Sequence, residues 1–98
     1  MYKIYYANMA KGTGMSEIGK RPVVSVKSDG DYVEVYKITS RNRNDEHHVR
    51  MNNFLVHGYC DISHKYRINK KYLTSWIRDC TTSEVEGIKE GLFNKLQK

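Results

Sequence analysis

Apolar and polar residues alternate through the first forty residues, and a helical period takes over at the end of the chain. Tyr2 to Asn8 is rich in aromatic and β-favouring residues and predicts a first strand. Arg21 to Lys27 predicts a second, with Pro22 near its start, where a missing N–H is tolerated. Tyr32 to Ile38 predicts a third: Val33, Val35 and Lys37 face one way, and Tyr32, Glu34, Tyr36 and Ile38 face the other. Ser28-Asp29-Gly30-Asp31 between them is a hairpin signal, with Asp-Gly suited to a type I′ turn. Further short strands are expected at His47–Met51, Gly58–Ser63, Tyr66–Asn69 and, more weakly patterned, Leu73–Arg78.

The last element reads as a helix. Thr81 followed by Glu84 is a capping box, and Val85, Ile88, Leu92 and Leu96 recur on one face. Gly87 and Gly91 weaken that helix but allow a backbone to pass closely. Two stretches read as loops: Ala10–Lys20, with three glycines, and Thr39–Glu46, which is polar, basic and Asn-rich. Several short strands closed by one C-terminal helix define a small barrel or half-open sheet, mainly β. At 98 residues the chain is expected to form one domain, spanning 1–98, with a thin core.

Charge narrows the chemistry. Seventeen Lys and Arg against eleven Asp and Glu give +6. Residues 1–40 contribute +2, residues 41–80 contribute +4, and the C-terminal 81–98 is neutral. The excess therefore belongs to the strands and loops and favours an anionic partner. Arg41, Arg43 and Arg50 lie in or just after one loop, and Lys65, Arg67, Lys70 and Lys71 alternate with Tyr66 and Tyr72. Cations with interleaved aromatics suit single-stranded RNA, but a solvated basic face with its tyrosines turned inward fits the same composition. No apolar run is long enough to span a bilayer, and no signal peptide is expected at the N-terminus, so a cytoplasmic protein with reduced Cys60 and Cys80 is expected. Neither cysteine has a CxxC-type partner, and His47, His48, His57 and His64 show no HxH or HExxH spacing, so no metal or other cofactor is expected. A Walker motif is absent.

Cleavage of RNA without a metal needs a base for the 2′-OH, an acid for the leaving oxygen and a cation for the phosphorane charge. Arg21 at the mouth of the Gly-rich loop, the hydroxyls Thr39 and Ser40, the loop carboxylate Glu17 and the four histidines are the candidates. Their order is familiar. Glu17-Ile18-Gly19-Lys20-Arg21-Pro22-Val23-Val24-Ser25-Val26, then Ile38-Thr39-Ser40, then Tyr66-Arg67-Ile68-Asn69-Lys70-Lys71-Tyr72-Leu73 resembles the MazF/PemK-like toxins. The resemblance implies an SH3-like barrel of five to seven short strands with a C-terminal helix, working as a homodimer. It implies a sequence-specific, metal-independent endoribonuclease toxin acting on single-stranded mRNA and neutralised by a cognate antitoxin. It makes Arg21 and Thr39 active-site residues; the chemistry of the residues agrees, with Arg21 as charge stabiliser and proton donor, Thr39 as a phosphate-binding hydroxyl and the loop carboxylate Glu17 as a further catalytic candidate. Ser63 falls where some members carry an acidic residue, and His64 beside it is the substitute in acid–base work. Lys20, Ser40, Arg41, Arg43, Lys65 and Arg67 are the expected RNA-binding residues. Two other readings remain open: a gyrase poison of the same fold, and a non-catalytic RNA-binding module.

Overall fold

The computed structural model describes residues 2–40, 48–53 and 56–96. Its strands are β1 (Lys3–Asn8), β2 (Lys20–Asp29), β3 (Tyr32–Thr39), β4 (His48–Asn53), β5 (Val56–Asp61), β6 (Tyr66–Asn69) and β7 (Leu73–Asp79). Two helices, α1 (Met9–Thr13) and α2 (Thr82–Leu96), and two single 3-10 turns at Ser16–Ile18 and Lys70–Tyr72 complete the described chain. All seven strands join one antiparallel sheet in the order β4-β5-β3-β2-β1-β7, with β6 also pairing along β3. The expected class, mainly β with a C-terminal helix, therefore forms. The sheet is not closed, and β4 and β7 stand at its two ends.

The β2–β3 hairpin is the one the alternation predicts. Its turn is shifted by one residue, because Asp29 already pairs with Tyr32, leaving Gly30 and Asp31 as the two loop residues. Gly30 supplies the positive φ, 59°, that a two-residue hairpin demands.

The Gly-rich stretch after β1 is not the open loop expected from its composition. Asn8 caps α1 by accepting from the Lys11 amide at 3.2 Å, and Gly14 closes it in the left-handed region. Met9, fully buried, pins this turn against the sheet, and Ile18 pins the 3-10 turn that follows. Two apolar anchors and a matched pair of caps outweigh the flexibility of the glycines.

Two cores lie on opposite faces of the sheet. On one, Ile4, Val24, Tyr36, Ile38, Met51 and Cys60 pack beneath Ile88 of α2. On the other, Ala7, Val23, Val33 and Val35 meet Tyr66 and Ile68 of β6 and are capped by Met9 and Ile18. The alternation of β3 explains both: Tyr36 and Ile38 feed the first core, Val33 and Val35 the second.

The capping box forms as expected: the Glu84 amide donates to Thr81 Oγ1 (3.2 Å) and the Thr81 amide to Glu84 Oε1 (2.8 Å). Arg78 at the end of β7 grips the same carboxylate with two bonds, of 2.7 and 2.8 Å. A buried charge is thus paired and fully bonded where strand becomes helix. Gly87 brings α2 close to β4, since a methyl group there would lie 3.0 Å from Val49 Cγ1. Of the predicted apolar face, Ile88 is buried and Leu92 packs at the core's margin, but Leu96 is 85% exposed. The helix overruns the sheet, and Lys95 instead ties its last turn to the carbonyls of Ile62 and Ser63, both at 3.1 Å.

Candidate active site

The sheet face opposite α2 is apolar only in part. Directly opposed residues of antiparallel strands present their side chains on one face, so the registers say which side chains meet. Arg50 pairs with Tyr59, and Tyr59 with Thr39. The β2–β3 register ends at Val23↔Lys37; Arg21 lies two residues before Val23 and Thr39 two residues after Lys37, so strand alternation puts both on this face. One row across three strands therefore reads Arg50, Tyr59, Thr39, with Arg21 on the same face of β2. The next row on the same face begins with His48 opposite Asp61. Extending the β3–β5 register by one residue sets Asp61 against Lys37, whose ammonium lies 3.9 Å from Asp61 Oδ2.

Local structure aims these groups. Arg21 donates from Nε to the Ile18 carbonyl at 2.9 Å, so the 3-10 turn that buries Ile18 also fixes the direction of the guanidinium. Among the described residues no carboxylate forms an ion pair with it. Thr39 is held by Gly58 (φ 134°) on β5: any side chain there would collide with the Thr39 carbonyl oxygen. Only glycine combines that backbone angle with that approach. Asp61 accepts from the Ser63 hydroxyl at 2.5 Å and the Ser63 amide at 3.0 Å, and His48 Nε2 stands 3.9 Å from its other oxygen. Burial pushes the Asp61 carboxyl up, but those two hydrogen bonds and the charges of His48 and Lys37 outweigh it and hold the group below its ordinary range.

Tyr66 links this cluster to the Gly-rich segment. Burial raises its phenol above the ordinary value; Asp61 and Glu17 add to the rise, and Arg21 opposes it. Electrostatically, Tyr66 therefore senses all three. The exposed His64 ring tilts against it at 4.4 Å.

The expected site residues thus divide. Arg21 and Glu17 lie within electrostatic reach of Tyr66 and His64 stacks against its ring, Thr39 follows Lys37 on β3, and Lys20 and Ser40 are exposed, next in sequence to Arg21 and Thr39. Lys65 turns to the helix side. It pairs with Glu34 at 3.0 Å and lines a hollow of about 430 Å³ with Tyr36, Leu92, Lys95 and Leu96. Arg67 sits at the opposite end of β3 from Thr39, 3.3 Å from Asp29 and stacked on Tyr32 at 4.5 Å. Arg41, Arg43 and His47 lie outside the described residues. His48, one of the four candidate histidines, has a side chain only 6% exposed. Lys37, Arg50, Tyr59 and Asp61 were not among the expected site residues. The alternation of β3 had already placed Lys37 on the correct face.

Among the described residues no three His, Cys, Asp or Glu side chains gather as a metal site. Burial pushes the thiols up, Cys60 strongly and Cys80 to about 12, so neither is poised as a thiolate. No described helix is long and apolar enough to cross a membrane.

An open antiparallel sheet backed by a helix on one face places this chain in the MazF-like fold. It superimposes on MazF from Deinococcus radiodurans with a TM-score of 0.80, over 98% of this chain and 94% of that one, at 14% identity. An endoribonuclease from Mycobacterial species, solved with its cognate antitoxin, gives 0.79 over 97% and 91% of the two chains at 18% identity. A further structure, of an endoribonuclease from Mycobacterial species, gives 0.76 over 97% and 88% of the two chains at 16% identity. The sequence itself matches no family model and no curated protein, so the likeness is one of fold.

Proposed function

We propose that this protein is a sequence-specific endoribonuclease toxin that cuts single-stranded mRNA. The observation that carries the proposal is a sheet face that bears an anchored Arg21 on β2 and Thr39 and Lys37 on β3, with Arg50 on β4. An anchored guanidinium on the same face as a hydroxyl suits a phosphodiester: the planar fork offers bidentate donors, and the hydroxyl adds a third. In the reaction the 2′-oxygen attacks phosphorus, the bond to the 5′-oxygen breaks, and a 2′,3′-cyclic phosphate and a 5′-hydroxyl result. Arg21 stabilises the charge gathering on the phosphorane and supplies a proton to the leaving oxygen. His64, exposed beside Tyr66, exchanges the 2′-OH proton, with Glu17 at the rim of the same site. No step requires a metal ion. Lys20, Ser40, Arg41 and Arg43 track the strand.

The chain works as one domain and as a cytoplasmic homodimer, since a core this thin gains from a two-fold interface. A cognate antitoxin silences it by laying an acidic, apolar-studded segment over the basic face and folding as it binds. Purified protein incubated with long single-stranded RNA in EDTA should yield discrete fragments with cyclic phosphate ends, lost in Arg21→Ala. Intact RNA at high protein concentration would overturn the proposal.

A further inference from the structure

We infer that Lys37 is a second phosphate contact, taking the backbone phosphate next to the one held by Arg21 and Thr39. The nature of the ligand rests on the endoribonuclease reading; the placement of the lysine does not.

Lys37 lies two residues before Thr39 on β3, so both side chains leave the same face, separated by about 6.6 Å along the strand. That is a single-nucleotide stride. On a face of β3 whose preceding positions, Val33 and Val35, are buried and apolar, a lysine needs a reason. Neutralising Asp61 is not sufficient as that reason. One Asp61 oxygen already takes two hydrogen bonds from Ser63, and His48 approaches the other. The Lys37 ammonium stands 3.9 Å from the carboxylate, well beyond the 2.7–2.9 Å of a charge-assisted hydrogen bond. It is drawn over the face by Asp61 without giving a donor up to it. With its side chain 27% exposed, the ammonium can reach an incoming phosphate without breaking a hydrogen bond to Asp61.

The test is the salt dependence of binding to a single-stranded RNA oligonucleotide carrying 2′-O-methyl groups throughout, which blocks 2′-OH attack. For single strands each phosphate contact contributes about 0.7 to the slope of log affinity against log salt. Lys37→Gln should lower the wild-type slope by about 0.7. Lys37→Arg should keep it. Asp61→Asn should also keep it, because it removes the same ion pair while leaving the cation. An unchanged slope in Lys37→Gln overturns the inference and leaves the nuclease proposal standing. An equal loss in Asp61→Asn also overturns it, by showing that disruption of the polar cluster causes the change. Failure of the wild-type protein to bind the oligonucleotide overturns the inference together with the reading beneath it.

Discussion

The two faces of the sheet use the same strands for opposite purposes. Beneath α2, the buried core from Ile4 to Cys60 is apolar, and Arg78 and Glu84 at its margin are locked to each other. On the other face the apolar surface stops at Val23, Val33 and Val35, and Arg21, Lys37, Thr39, Arg50, Tyr59, His48 and Asp61 take over. One face is consumed by stability. The other is covered only in part, and the rest carries polar and charged groups held by their neighbours. Loss of a helix-face group should therefore reduce folding, and loss of an open-face group should reduce activity in a protein that still folds.

The largest effect is expected on the helix side. Glu84→Ala leaves Arg78 without its carboxylate and removes the cap of α2, and should cost about 3–5 kcal/mol in chemical denaturation. A loss below about 1 kcal/mol, the scale of an exposed pair, would mean that the pair does not tie strand to helix. On the open face, Arg21→Ala should lower kcat by about 10²–10³, as for removal of one preorganised donor, with little change in melting temperature. Parallel losses of activity and stability would break the contrast.

Gly58→Ala sits between the two. It forces a side chain against the Thr39 carbonyl at φ 134°, and should cost about 1–3 kcal/mol while also displacing the hydroxyl and slowing cleavage. An unchanged rate in a destabilised protein would detach Thr39 from the chemistry.

The smallest expected effect concerns pH. The folded-state carboxyl of Asp61 lies below its ordinary value, so the group contributes stability above about pH 4 and loses it as pH falls further. Asp61→Asn should flatten the acid limb of the stability curve below about pH 4 and leave its neutral region shifted by a constant amount. An unaltered acid limb would mean that the hydrogen bonds from Ser63 do not favour the charged form.

Local pattern was enough for much of this molecule. The hairpin, β6 and the capped helix were legible because each rests on short-range chemistry: alternation on β3, a glycine at the turn, Thr81 and Glu84 three residues apart. Arg21 and Thr39 stood out singly through their motif neighbourhoods. Other features could not be read this way. The glycines of residues 10–20 pointed to an open loop, because the caps that make α1 gain their value only once Met9 and Ile18 find a core. Leu96 continued the helical period past the edge of the sheet, since periodicity carries no knowledge of where a core ends.

By itself, then, the sequence determined the class of the fold and the excess positive charge, and it singled out Arg21 and Thr39, the two residues on which the proposed site is built. Tertiary structure decided which cations share their face. Lys65 and Arg67 are as basic as Lys37, yet one turns to the helix side and the other to the far end of β3. The physical reason is register. A pairing of β3 with β5 brings residues twenty positions apart into contact, and a shift of one residue would send Lys37, Asp61 and His48 to opposite faces.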